Sequence, residues 1–186
     1  MNGKKLVLAS KSPRRSEILK TAGFEFTVRV QETDEALPDN ICPEDAVVYL
    51  AATKAKAVER NNDELVLGAD TIVVLDNVIL GKPKDREDAF NMIKSLSGRV
   101  HSVYTGVCGI CDEYSITLSE RTDVEFLPLT DEEIIEYIST FEPYDKAGAY
   151  GIQGLASKFI KRINGDYFNV VGLPISSVYE KILKNK

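Results

Sequence analysis

Three cysteines and one histidine are all that 186 residues contain of those two side chains. The shortage removes several chemistries. Cys42, Cys108 and Cys111 are too few, and odd in number, for a disulfide framework; they fit a reducing compartment, so a cytoplasmic protein is expected. Cys108 and Cys111 have CxxC spacing, but their stretch reads as strand, turn and strand, away from a helix N-terminus, and no second pair completes a zinc site. The spacing is read as incidental. A Ser–His–Asp triad would have to use His101, whose strand-like surroundings suit a structural or substrate-adjacent role better. No apolar run reaches membrane-spanning length, since residues 65–80 are interrupted by Asp70 and Asp76. Lys4 and Lys5 precede only four apolar residues, far short of a secretory h-region. Basic excess is missing too: 23 Lys and Arg against 29 Asp and Glu leave a net charge of −6, against a general nucleic-acid surface. Neither a membrane nor a nucleic acid is an expected partner.

What is present is a folded chain. Hydrophobic residues make up 44% of it, enough for a real core. No internal repeat, low-complexity tract or clean linker stands out, so residues 1–186 are read as a single domain. An apolar run at residues 6–9 precedes a helix expected over Pro13–Ala22 and ending near Gly23, followed by an extended Phe24–Val30. A polar, proline-bounded loop spans Gln31–Pro43. In the next helix, about Pro43–Asn61, Val47, Leu50, Ala51, Ala55 and Val58 form one stripe at about 100° per residue. Lys54 falls inside that stripe and Lys56 opposite it. Lys54 therefore either snorkels out of the core or reaches an anion, whereas Lys56 is a solvated lysine.

The stretch ELVLGADTIVVLDNVILGKP has the Val, Ile and Leu content of a buried strand, with Asp76-Asn77 as a two-residue hairpin turn. A helix over Lys84–Ser97, strands over Val100–Val107 and Ser115–Phe126, and a helix opened by a Thr130/Glu133 capping box follow. The glycine-rich loop KAGAYGIQG leads to two expected strands, Phe159–Ile163 and Tyr167–Val171, joined by Asn164-Gly165-Asp166, and a last helix begins near Pro174. Helices and strands mix without strict alternation, which predicts an α/β or α+β fold around one mixed sheet.

Charged residues in unfavourable places mark the chemistry. In LASKSPRR, Ser12 is the expected N-cap and Pro13 the first helical residue, so Arg14 and Arg15 lie in a first turn where the macrodipole disfavours cations. They become favourable when a polyanion occupies the turn, which free amides already attract, with Ser10 beside it; otherwise they are two surface arginines in ordinary salt bridges. The loop is no Walker A motif, because GxxxxGK[ST] is absent. Lys82, after the buried hairpin, is either a surface lysine or a second phosphate-neutralising cation. Asp70 sits in an apolar strand region, so it must be paired, metal-bound or in a cleft. It is the strongest catalytic candidate, as general base on water or as ligand of a divalent cation, the alternative being a buried Asp that caps backbone amides; Glu35 could supply a second carboxylate. Tyr167 and Phe168 either stack on a base or pack in the core.

Seven pieces in order, LASKSPRR, LAATKAKAV, GADTIV, LGKP, LSGRVHSVYTGV, EPYDKAGAYGIQG and GDYFNVVGLP, resemble the Maf family of nucleoside triphosphate pyrophosphatases over essentially the whole chain. The resemblance implies hydrolysis between the α and β phosphates with Mg²⁺ or Mn²⁺, a homodimer, and an elongated α/β fold with two lobes flanking a cleft, similar to inosine triphosphate pyrophosphatases. It places the catalytic acid–base residue on Asp70, substrate selection on Arg14, Thr71 and Gln153, and phosphate or metal roles on Ser10, Arg15, Glu35, Lys54 and Lys82. YGIQG looks like the branch that prefers dTTP and UTP. The amide of Gln153 carries both a donor and an acceptor, compatible with the O4 and N3–H edge of a pyrimidine. The implied role is removal of noncanonical nucleotides from the pool.

Overall fold

The computed structural model describes residues 3–184. Among the described residues, seven strands form one mixed sheet: β1 (Lys5–Leu8), β2 (Phe26–Val28), β3 (Glu64–Leu75), β4 (Val78–Leu80), β5 (Val100–Ile110), β6 (Ser115–Phe126) and β7 (Ile160–Asn164). Their order is β2-β1-β3-β5-β6-β7, with β4 paired to β3. β1 runs parallel to both β2 and β3, with Leu8 opposite Val28 and Leu67. β4 returns antiparallel on β3, and β7 antiparallel on β6. The helices are α1 (Pro13–Thr21), α2 (Pro43–Ala57), α3 (Arg86–Leu96), α4 (Asp131–Ile138), α5 (Tyr167–Val171) and α6 (Ile175–Val178). This is the mixed sheet with flanking helices that the sequence predicts.

By contacts the chain divides into two compact units. Among the described residues, the first comprises 3–71, Thr105–Glu120 and 172–184; the second comprises Ile72–Tyr104 and Arg121–Val171.

In the first unit, Val7, Ala9, Ala51, Ala55, Val58, Val66 and Cys108 make a fully buried cluster under α2. The expected α2 stripe is the buried face, with Lys56 exposed and Lys54 half-buried. Close approach of α2 to the sheet depends on two glycines. A Cβ on Gly68 of β3 would lie 2.8 Å from the Ala55 amide nitrogen, and one on Gly106 of β5 would strike the Val47 carbonyl. Helix backbone thus rests almost directly on strand backbone. Cys108 and Cys111 are both buried and free.

In the second unit, α3 and α4 cover a cluster that includes Val73, Ile93, Leu96, Val124, Phe126, Ile134, Tyr137 and Phe159. Its aromatic rings meet edge to face, as in His101–Phe126, Phe126–Tyr150 and Tyr137–Phe159. Asp76 and Asn77 both hold positive φ, 49° and 64°, as a primed hairpin turn requires. The Thr130/Glu133 capping box at α4 is complete.

One expected strand is a helix. Tyr167–Val171 carries β-favouring residues, yet it forms α5. Asp166 starts it, accepting the Phe168 amide at 2.8 Å. Asn169 is buried and donates to the Val103 carbonyl and the Thr122 hydroxyl, at 3.1 and 2.9 Å. A local cap and a tertiary polar anchor override the propensity of five residues. Tyr167 and Phe168 are consequently exposed and meet edge to face rather than filling the core. The glycine-rich loop is also more ordered than a plain loop, with a 3₁₀ turn at Ala147–Ala149 inside it and further 3₁₀ turns at Glu142–Asp145 and Leu155–Phe159 on its flanks.

Candidate active site

The parallel ladder from β1 to β3 continues through Ala9, whose amide donates to the Leu67 carbonyl at 2.9 Å, and delivers Ser10 to the strand end. Ser12 occupies the N-cap with extended backbone and Pro13 follows at the first helical position. The Ser12 hydroxyl makes no capping bond and the first turn contains no acidic residue. The Ser12 amide instead donates to the Ser10 hydroxyl at 3.2 Å. The turn therefore presents an N-terminal dipole that no side chain of its own caps.

The two arginines differ sharply. Arg14 is half-buried. Arg15 is buried at 9% exposure and bound to the protein: Nε donates to the Gly172 carbonyl at 2.8 Å, Nη1 to Ser10 Oγ at 2.9 Å and Nη2 to Thr71 Oγ1 at 3.0 Å. Burial pulls its guanidinium below its usual pKa, and the nearby charge of Arg14 adds to that; the carboxylates of Asp70 and Glu35 work in the opposite direction. Thr71 Oγ1 also bonds Thr105 Oγ1 at 2.9 Å. Gly172, with φ of 121°, leaves room for this cluster, since a Cβ there would come within 3.3 Å of Thr71 Oγ1.

Asp70 precedes Thr71 on β3 and is 9% exposed. Its Oδ1 accepts from Lys54 Nζ at 2.5 Å. Glu35, from the loop between β2 and α2, places Oε1 on the same nitrogen at 3.0 Å. Lys54 thus reaches an anion rather than snorkelling to solvent, and Asp70 is paired, as an acid among apolar residues must be. Among the described residues, no group of three or more His, Cys, Asp or Glu could hold a metal ion. Two carboxylates converging on one cationic atom are nevertheless a donor set suited to a hard divalent cation that takes its remaining ligands from water and phosphate oxygens.

Seven of the nine candidate residues are in the first unit, and six of them form two bonded groups: Ser10 and Thr71 on Arg15, and Glu35 and Asp70 on Lys54. Arg14 stands in the same helical turn as Arg15. Lys82 and Gln153 belong to the second unit and are exposed. Lys82 follows Gly81, whose carbonyl accepts from the Gly148 amide at 3.0 Å; Gln153 stands at the tip of a tight turn. His101 is a core residue: it is 2% exposed, bonds the Tyr150 hydroxyl through Nε2 at 2.7 Å, and burial lowers its pKa to about 4. Sequence reasoning missed Thr105 and Gly172, the partners that complete the arginine cluster. Both lie in quoted segments, TGV and VGLP, but nothing in either segment foretells an arginine 157 positions away from Gly172.

The first unit of this α/β protein thus carries an uncapped strand-to-helix turn and a lysine-bridged pair of carboxylates. The chain belongs to the Maf-like protein family, whose model matches residues 5–185. It is 50% identical over 182 residues to a dTTP/UTP pyrophosphatase of Bacillus cereus, covering 97% of this chain and 90% of that protein. A dTTP/UTP pyrophosphatase of Bacillus anthracis is 49% identical over 180 residues, covering 96% and 94%. Among solved structures, the Staphylococcus aureus Ham1 protein matches with a TM-score of 0.47 at 13% identity, over 66% of this chain and 72% of that one. A nucleoside-triphosphatase / dITP/XTP pyrophosphatase of Mycobacterium abscessus matches at a TM-score of 0.42 and 11% identity, over 67% and 75%.

Proposed function

We propose that this protein is a nucleoside triphosphate pyrophosphatase that hydrolyses dTTP and UTP, and modified pyrimidine counterparts, to the monophosphate and pyrophosphate. It would act in the cytoplasm as a homodimer, with the whole chain as one functional domain, clearing unwanted nucleotides. The observation that carries the reading is the Glu35–Lys54–Asp70 group, with Nζ at 3.0 and 2.5 Å from the two carboxylates. Identity of about half to the two pyrophosphatases supports the substrate. Among the described residues no helix is long and apolar enough to cross a membrane.

In this reading the triphosphate enters the α1 turn, where backbone amides and Arg14 receive its charge. Arg15 holds Ser10, Thr71 and Gly172 in register. Lys54 turns from the carboxylates towards the phosphates and releases Asp70; Lys82 is read as a further phosphate-neutralising cation. Asp70 takes a proton from water as the water oxygen bonds to the α-phosphorus. The bond from that phosphorus to the α–β bridging oxygen breaks, and its electron pair leaves with pyrophosphate. Glu35 and Asp70 would hold Mg²⁺ or Mn²⁺, which supplies neutralisation of phosphate charge and a more acidic water. Thr71 and Gln153 select the base.

The test is turnover of dTTP, UTP, dCTP, dATP and 7-methyl-GTP with Mg²⁺ or Mn²⁺, quantifying pyrophosphate and monophosphate together. Pyrophosphate from dTTP and UTP is expected, reduced roughly 10²- to 10⁴-fold in Asp70→Asn. Orthophosphate as the product would overturn the choice of bond, and full activity in Asp70→Asn would overturn the role of Asp70.

A further inference from the structure

Gln153 stands on a turn that is braced from both flanks. The Gly154 amide donates to the Gly151 carbonyl at 3.3 Å, leaving Ile152 and Gln153 at the tip. On one flank lies the Glu142 carboxylate, which accepts the Leu155 amide on Oε2 at 2.7 Å and the Ala156 amide on Oε1 at 3.4 Å. It packs so tightly that any Cβ on Gly154 would collide with it. On the other flank the Lys146 stem covers Gly151, where a Cβ would lie 2.9 Å from Cε. Lys146 Nζ donates to the Glu142 carbonyl at 2.7 Å, tying the flanks together. The buried Tyr137 hydroxyl is shared between the Ala149 carbonyl at 3.1 Å and Glu142 Oε1 at 3.3 Å.

The glycines of YGIQG therefore have a packing reason. At Gly151 and Gly154 they admit two side chains from the start of the same loop. Glu142 links the turn's exit, the following 3₁₀ turn and the α4 tyrosine. A carboxylate accepting two amides makes stronger bonds than a neutral group would.

We propose that Glu142 is a positioning residue for base selection: it fixes where Gln153 presents its amide, and does so without touching the nucleotide. This rests on the reading of Gln153 as the residue that selects the base. Misplacing a recognition group by about 1 Å can cost on the order of 10²-fold, so loss of this brace is large enough to measure.

The experiment compares wild type, Glu142→Ala, Glu142→Gln, Gln153→Ala and the Glu142→Ala/Gln153→Ala double variant, with KM and kcat for dTTP, UTP and dCTP. Glu142→Ala is expected to raise KM for dTTP and UTP on the order of tenfold, with kcat within about twofold, and to narrow the preference over dCTP. Glu142→Gln keeps a side-chain oxygen for the Leu155 amide and should restore most of the preference. In the Gln153→Ala background Glu142→Ala should add nothing. If Glu142→Ala unfolds, Glu142→Asp withdraws the carboxylate by one methylene and should show the same split. Unchanged base preference in Glu142→Ala or Glu142→Asp, or an equal fall in kcat for every base, overturns the role of Glu142. A Gln153→Ala variant that keeps full preference overturns the premise about Gln153 instead.

Discussion

Replacing Gly68 by alanine would place a methyl group in the seam between β3 and α2. Its carbon would lie 2.8 Å from the Ala55 nitrogen and 2.9 Å from the Ala55 Cβ, and would meet the Ala51 carbonyl oxygen as well. Comfortable carbon contacts need about 3.5–4.0 Å, so α2 must retreat by about 1 Å. Overpacking of this kind destabilises by about 1–3 kcal/mol. For a chain of this length that lowers Tm by about 2–4 °C per kcal/mol. The same shift acts on the site. Lys54 adjoins Ala55 on α2, and Asp70 lies two residues beyond Gly68 on β3, with the pair in contact at 2.5 Å. A displacement of about 1 Å in a catalytic group can cost on the order of 10²-fold in rate. Thermal unfolding by circular dichroism and pyrophosphate release from dTTP read the two effects on one sample. A Gly68→Ala protein with unchanged Tm and turnover would refute the view that backbone contact between α2 and β3 sets the position of Lys54.

Other perturbations separate the parts. Arg15→Met leaves the Gly172 carbonyl and the Ser10 and Thr71 hydroxyls without their charged donor, and should destabilise by about 2–4 kcal/mol in urea unfolding; an unchanged midpoint would mean that water replaces the guanidinium at no cost. His101 has a folded-state pKa of about 4 against about 6.5 when unfolded, so the unfolded chain binds the extra proton between these values. Stability should therefore decline as pH falls from about 6.5 to about 4, by up to about 3 kcal/mol, and then level off for this group. The Glu64 carboxylate, held at about 2 chiefly by Arg29, loses its contribution only below about 4.5, so the upper window isolates His101. His101→Gln should flatten that window, and an identical slope in the variant would assign the effect elsewhere. Thr130→Ala removes the hydroxyl that accepts the Glu133 amide and should lower stability by about 1 kcal/mol without changing turnover; a loss of turnover at constant stability would contradict its purely structural place.

Most elements were legible because local chemistry and tertiary packing agree. The α2 stripe, the Asp76-Asn77 hairpin and the Thr130 cap each depend on residues within one or two turns of chain. Ser115–Phe126 is a strand over the expected bounds for the same reason. Tyr167–Val171 failed where the decisive bonds are remote: Asn169 is held by Val103 and Thr122, out of reach of any local window. Asp70 and Lys54 could be singled out because each violates the apolar pattern around it, and their meeting at 2.5 Å explains both violations. Glu35 had no such signal, being one acid among several in a polar loop, and its approach to Lys54 depends on the path of that loop. Nor does spacing reveal that Glu142 reaches Leu155 across 13 positions.

The arginine pair in the first turn of α1 shows how a local rule can be broken for two different reasons at adjacent positions. A cation there opposes the helix dipole by about 0.3–1 kcal/mol. Arg15 offsets that inside the protein, with three hydrogen bonds of 2.8–3.0 Å that join strand end, strand interior and the Gly172 segment. Its charge is committed to architecture, so it shapes the turn rather than reaching outward. Arg14, half-buried on the same turn, is the arginine that meets the triphosphate in the proposed reaction. Lysine substitutions at the two positions should therefore differ in kind. Arg14→Lys would keep a charge for phosphate but lose the bidentate fork, raising KM, whereas in Arg15→Lys the ammonium could not serve three acceptors in the same fixed geometry, and stability would fall first. Equal stability losses in the two variants, read by urea midpoint, would show that both arginines serve the architecture.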